Sequence, residues 1–154
     1  MGQDIHFFVE LQDDLGEWHL APHQTQPCPS CSARHPTQAS DHCGWNCLGG
    51  RMLNSSYYYD LRDYPLFALL GGRGVPDERF PVAGRGMPPD ASPSLAHGGA
   101  DTVNLHDHTF CTLEELQRYP WGSEDFTEFA AVLAKMSRLQ VDPRRIRAVY
   151  WFDN

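Results

Sequence analysis

Asp4, His6 and Glu10 alternate with Ile5, Phe7, Val9 and Leu11 near the start of the chain. Successive side chains of a strand point to opposite faces, so this run predicts one apolar face and one carrying a carboxylate, an imidazole and a second carboxylate. Such a face can hold a divalent metal or move a proton. His106-Asp107-His108-Thr109 is the second polar cluster. If it is extended, His106 and His108 share a face and either imidazole can serve as general acid or base near neutral pH. The plainer alternative makes the pair solvated loop histidines capped by Asp107 and Thr109, and His6 a hydrogen-bonded structural residue. Asp4, His6, His106 and His108 are thus the candidate catalytic residues.

Arg62, Arg73 and Arg85 flank or enter a Gly/Pro-rich stretch, where a ligand can approach the backbone closely. Guanidinium forks suit phosphate, so the three are candidate anion contacts, against the ordinary role of surface or helix-end charges. Tyr57-Tyr58-Tyr59 and Trp45 could stack a base, although an aromatic run in a β-forming segment more often belongs to a core. His23-Gln24-Thr25 has the form of a two-histidine phosphoesterase motif, but a convincing second copy is missing.

Cys28-Pro29-Ser30-Cys31 and Cys43-Gly44-Trp45-Asn46-Cys47 form a CxxC and a CxxxC eleven residues apart. Four thiolates at this spacing predict a closed tetrahedral Zn²⁺ site that shapes the segment without catalysis. His35 or His42 could replace one thiolate, and free thiols or a redox pair are the alternatives.

These groups are carried by 154 residues, a length that fits one domain, with residues 22–50 as a cysteine-rich insertion. A formal charge of −8 argues against gripping extended nucleic acid, which needs many cations against phosphates; a small anionic ligand is compatible with it. Of 12 basic residues 11 are Arg, which matches either genomic bias or phosphate forks. No run is long and apolar enough for a membrane span and no secretion signal opens the chain, so a cytoplasmic location is expected, with thiols rather than disulfides. A homo-oligomer is left open.

Asp4 to Leu11, a Gln12–Gly16 connection and Glu17 to Ala21 predict a hairpin. Asp63 as cap, Pro65 early and Gly71 at the end predict a short buried helix. Gly71 to Leu105 holds 7 Gly and 5 Pro in 35 residues and predicts a lid or binding loop without regular structure. Thr112 and Glu115 form a capping box, and a helix from Ser123 to about Leu139 presents Phe126, Phe129, Ala130, Leu133 and Met136 on one stripe. Ile146 to Phe152 is dense in β-formers. The order predicts an α+β domain with a small, mostly antiparallel sheet covered on one face by the Ser123 helix. Pairing of the first and last strands would bring Asp153 and Asn154 beside Asp4 and His6.

The start Met1-Gly2-Gln3-Asp4-Ile5-His6, the helix start Arg62-Asp63-Tyr64-Pro65-Leu66-Phe67, the Pro88-Pro89-Asp90-Ala91-Ser92 turn, His106-Asp107-His108-Thr109 and the end Val149-Tyr150-Trp151-Phe152-Asp153-Asn154 resemble a family of small phage and prophage proteins. Its members share "MGCDIH", "RNYxLF", "GLPxDxS", "HSHS" and "VFWFDN" motifs, and no activity comes with the resemblance. Gln3 stands in place of the family's cysteine, Asp107 and Thr109 in place of two serines, and the cysteine-rich insertion is an addition. Asp4, His6, Arg62, Asp90, Ser92, His106, His108 and Asp153 fall on the motif positions.

The resulting expectation is a pocket built by the Asp4/His6/Glu10 face, the Gly71–Leu105 loop, His106, His108 and Asp153. Glu10, Arg62, Arg73, Arg85, Asp90, Ser92 and Asp153 are its ligand-binding candidates. It takes a small phosphate-containing ligand, foremost a nucleotide, and cleaves a phosphoester with help from a His or a second divalent metal at the Asp4/His6 face. The rival expectations are a non-catalytic sponge for a host immune nucleotide signal and a protein-binding inhibitor of a host factor that uses the insertion as its epitope.

Overall fold

In a computed structural model, the chain is described over residues 3–29, 47–73, 84–122 and 126–153. The first strand, β1 (Asp4–Gln12), turns back through Asp13 to Glu17 into β2 (Trp18–Leu20), so the predicted hairpin is present. Asp13 closes that turn: its Oδ1 accepts from the backbone N–H groups of Leu15 and Glu17.

A second, three-stranded sheet follows: β3 (Thr25–Pro27), β4 (Cys47–Leu48) and β5 (Arg51–Leu53), in the order β3-β5-β4. Strands β3 and β4 lie within residues 22–50, the predicted insertion, and β5 follows it. Next comes α1 (Tyr64–Leu70), capped as its sequence predicts, with Asp63 Oδ1 accepting from the Leu66 N–H at 3.0 Å and Pro65 in the first turn. The segment expected to lack regular structure contains α2 (Pro93–Gly98), which buries Leu95. Six residues among Gly and Pro leave little helical period in the sequence. Then come β6 (Leu105–Thr112), α3 (Leu113–Gln117) with the reciprocal Thr112–Glu115 capping box, and α4 (Thr127–Met136). The predicted Ser123 start of α4 lies outside the described residues. After a 3-10 turn at Pro143–Arg145, β7 (Ile146–Asp153) ends the fold.

The larger sheet is antiparallel with the order β2-β1-β7-β6. Strand β7 is therefore central, and all its residues but Asp153 are buried. On one face Ile5, Phe7, Val9, Ile146, Ala148, Tyr150 and Phe152 pack against Leu66, Phe67 and Leu70 of α1, Leu113 and Leu116 of α3, and Phe129, Leu133 and Met136 of α4. The other face is also covered: Phe8, Val149 and Trp151 pack with Leu95 of α2 and with Leu53 of the small sheet. This corrects the expectation of one covered face. A strand paired on both sides and buried on both faces reads as a continuous apolar run, which is what Ile146 to Phe152 is. The β1/β7 register sets Asp4 opposite Asp153 and His6 opposite Trp151, which puts the chemistry-bearing ends of the first and last strands together.

Candidate functional site

At that end of the sheet, His6 Nε2 lies 2.8 Å from Asp153 Oδ2, and the Asp4 N–H donates to Asp153 Oδ1 at 3.2 Å. A carboxylate only accepts, so Nε2 carries the proton of the neutral imidazole and the lone pair rests on Nδ1. Nδ1 makes no hydrogen bond among the described residues. Arg62 forks onto Asp4, with Nε donating to Oδ1 at 2.7 Å and Nη2 to Oδ2 at 3.1 Å. These bonds hold the Asp4 carboxyl below the ordinary carboxylate range and raise the Arg62 guanidinium. They leave Arg62 Nη1 without a partner among the described residues.

Asp4, His6, Arg62 and Asp153 line a cavity of about 380 Å³ together with Ser55, Ser56, Tyr59 and Asp60. The volume falls in the small-ligand range. Three carboxylates face one guanidinium and one imidazole, so the lining is net acidic. Sequence reasoning missed Asp60 and treated Tyr59 mainly as core; only their closeness to Arg62 in the chain pointed to them.

The other candidates lie elsewhere. Glu10 does not line this cavity: it is fully buried, and its Oε2 accepts from Arg147 Nε and Nη2 at 2.7 and 2.6 Å. Its Oε1 accepts from the Ser92 N–H at 2.7 Å, and Asp90 Oδ1 accepts from Arg147 Nη1 at 2.8 Å. Glu10 and Asp90 thus hold Arg147, whose guanidinium carbon sits 4.1 Å from the Trp18 ring centroid, while Ser92 holds Glu10. Glu10 lies toward the far end of β1, against the Ser92 cap of α2, so alternation placed it on the right face but away from the cavity.

His106 and His108 also do not share a face. A bulge between His106 and Thr109, with Asp107 at φ 54°, inserts an extra residue and flips the alternation. His106 stacks on Phe152 on the side of α1, whereas His108 stacks beside Trp151 on the opposite side. Arg73 Nη2 reaches both His106 Nδ1 at 2.7 Å and Asp107 Oδ2 at 2.5 Å. His108 Nε2 lies 2.9 Å from the Gly99 carbonyl, which makes it the donor, and burial lowers the pKa of the ring. Arg85 is engaged by Glu115 through both terminal nitrogens, at 2.9 and 2.6 Å, and the pair lowers the Glu115 carboxyl. None of these residues lines the His6 cavity.

Comparison with protein-family models, with curated proteins and with solved structures gave no match in any of the three. The geometry therefore carries the functional argument.

For a metal, the expected Asp4/His6 face is poorly arranged, since Arg62 takes both Asp4 oxygens. Among the described residues, the three metal-capable side chains with ligand atoms within 4.8 Å of one another are Asp13, Glu17 and His19 on the exposed β1–β2 hairpin. There Asp13 Oδ2 bonds His19 Nε2 at 2.7 Å while Oδ1 closes the turn, so local hydrogen bonding accounts for the cluster. Cys31 and Cys43, with His35, His42 and Trp45, lie outside the described residues. Cys28 and Cys47 are both buried and form a small cluster of their own, Cys47 on β4 and Cys28 immediately after β3. No helix among the described residues is long and apolar enough to cross a membrane.

Proposed function

We propose that the cavity at the sheet end binds a small phosphodiester, foremost a nucleotide, and cleaves it with His6 as general base and acid. The observation that supports this is the His6–Asp153 bond, which presents an imidazole lone pair beside a guanidinium with a donor to spare. Arg62 Nη1 supplies one positive charge among Asp4, Asp60 and Asp153. That balance favours the single charge of a phosphodiester over the two of a phosphomonoester.

In the step, a hydroxyl of water or of the ligand attacks phosphorus and loses its proton to His6 Nδ1. Asp153 stabilises the imidazolium. The phosphorus bond to the leaving oxygen then breaks, and the same proton passes from His6 to that oxygen. Mass and charge balance without a metal. In the phage setting that the motif resemblance implies, the substrate is a host or phage nucleotide.

Cys28, Cys31, Cys43 and Cys47 hold a structural Zn²⁺ in this proposal. The adjacency of buried Cys28 and Cys47 at the base of the segment supports it, and thiolates are the ligands zinc takes in closed sites.

Incubating the protein with a panel of cyclic and linear phosphodiesters, without added metal, tests the proposal. Product from the native protein, and at least a hundredfold less from His6→Gln, is the expected result. Recovery of intact bound ligand on heating overturns catalysis in favour of sequestration, and absence of binding overturns both.

A further inference from the structure

A second cavity, of about 400 Å³, adjoins the first and is lined by Tyr59, Leu61, Arg62, Asp63, Tyr64 and Glu128 among others. Tyr59, Leu61 and Arg62 line both cavities. Tyr59 is only 4% exposed, with its ring held edge-to-face against Phe67 and Phe129. Its hydroxyl nevertheless makes no hydrogen bond among the described residues. Burial, with the carboxylates of Asp63, Glu128 and Asp60, pushes that phenol well above its ordinary pKa, so it remains a donor. Tyr59 lines both cavities, and its hydroxyl is accessible there, not sealed in the core.

The second cavity shares Arg62 and an acidic lining with the first and adds an aromatic and apolar wall. Tyr64 and Leu61 are 51% and 48% exposed and give it aromatic and apolar walls. Its carboxylates are Asp63 and Glu128. Asp63 Oδ1 is committed to capping α1, whereas Glu128 is exposed and makes only a long 3.4 Å contact with Thr127 Oγ1. A flat ring with N–H donors on one edge matches this lining: the face packs on Tyr64 and the edge meets Glu128. Among nucleobases, guanine presents two parallel donors, N1–H and the exocyclic N2–H, to a single carboxylate. Adenine and cytosine set one amino donor beside an acceptor, and uracil flanks one N–H with two carbonyls.

We propose that the two cavities are one bipartite site in which the second binds a guanine base, with the Tyr59 hydroxyl donating to the ligand at the junction. This rests on the phosphodiester assigned to the first cavity. The test compares affinities for guanosine 2′,3′-cyclic phosphate, its adenosine counterpart and a base-free methyl ribofuranoside 2′,3′-cyclic phosphate. The guanosine ligand is expected to bind at least tenfold tighter than either. Glu128→Gln, an exposed change that spares the core, removes the preference over adenosine; Tyr64→Ala weakens both nucleosides, and Tyr64→Phe restores them.

Equal affinity for the base-free and guanosine ligands overturns the guanine subsite and leaves the phosphodiester site standing. A guanine preference that survives both Glu128→Gln and Tyr64→Ala also overturns it, because the base then lies elsewhere. Failure of all three ligands to bind overturns the phosphodiester site itself.

Discussion

Glu10 and Arg147 are paired across the middle of the sheet, with side chains 0% and 4% exposed. The strand register sets the two residues opposite each other, and Ser92 and Asp90 complete the hydrogen bonding of both. A buried charge of this kind is far costlier to leave alone than to remove with its partner. Arg147→Met should therefore cost about 3–5 kcal/mol of stability, because Glu10 is left uncompensated. Glu10→Gln combined with Arg147→Met should recover part of that loss. Urea midpoints of the three proteins, with unchanged slopes, check the prediction.

The same pair shows what was legible in the sequence. Alternation along Asp4 to Leu11 and the apolar run Ile146 to Phe152 sufficed for two strands, and the adjacency of Asp4, His6 and Asp153 followed from pairing them. Caps at Asp63 and Thr112 marked two helix starts through local hydrogen bonds, which depend on neighbours in the chain. Whether a polar residue on a strand face ends in a cavity or beneath a helix depends on what packs over it. For Glu10 that cover is the Asp90–Ser92 turn and α2, more than 75 residues away, short and rich in Gly and Pro. The bulge at Asp107 was equally hidden, because a left-handed backbone is uncommon even for Asp, although Asp is enriched there, and no neighbouring Gly marks the position.

Asp153→Asn should separate orientation from folding at the His6 site. The amide oxygen can still accept the Nε2 proton, so the terminal register is kept, but the charge that supports the imidazolium is gone. Turnover of a phosphodiester should fall by about 10²- to 10⁴-fold, the range general acid–base catalysis spans. The thermal midpoint should move little, since the pair is about one-third exposed. Parallel rate and melting measurements read the two effects separately.

Asp107→Val should destabilise the protein by about 1–2 kcal/mol or more, because a β-branched residue is strained at positive φ. Asp107→Asn keeps a residue type suited to that backbone and loses only the charge opposite Arg73. Chemical denaturation should rank native, Asn and Val in that order. An equal loss in both variants would assign the effect to the ion pair.

Stoichiometric zinc should accompany the purified protein and be released by thiol-modifying reagents that expose the cluster. Cys47→Ser should lower zinc content and loosen the small sheet, since Cys47 pairs with Met52 on β5. Metal analysis with amide exchange across Arg51–Leu53 checks both. Full protection of that strand in a zinc-free variant would separate the sheet from the metal.

His108 should make stability fall on mild acidification. Burial is the main cause of its lowered pKa, and the donor bond to Gly99 opposes it only in part. Between the folded pKa and the unfolded value near 6.5, the unfolded chain binds more protons than the folded one, so stability rises with pH in that window. The contribution is complete above about pH 6.5 and is lost as pH falls through the folded value. His108→Gln retains an amide donor for the Gly99 carbonyl and does not titrate. Its unfolding free energy should therefore show a shallower slope than the native protein just below about pH 6.5. Identical slopes would mean that another group, such as a carboxylate paired with arginine, sets the acid limb.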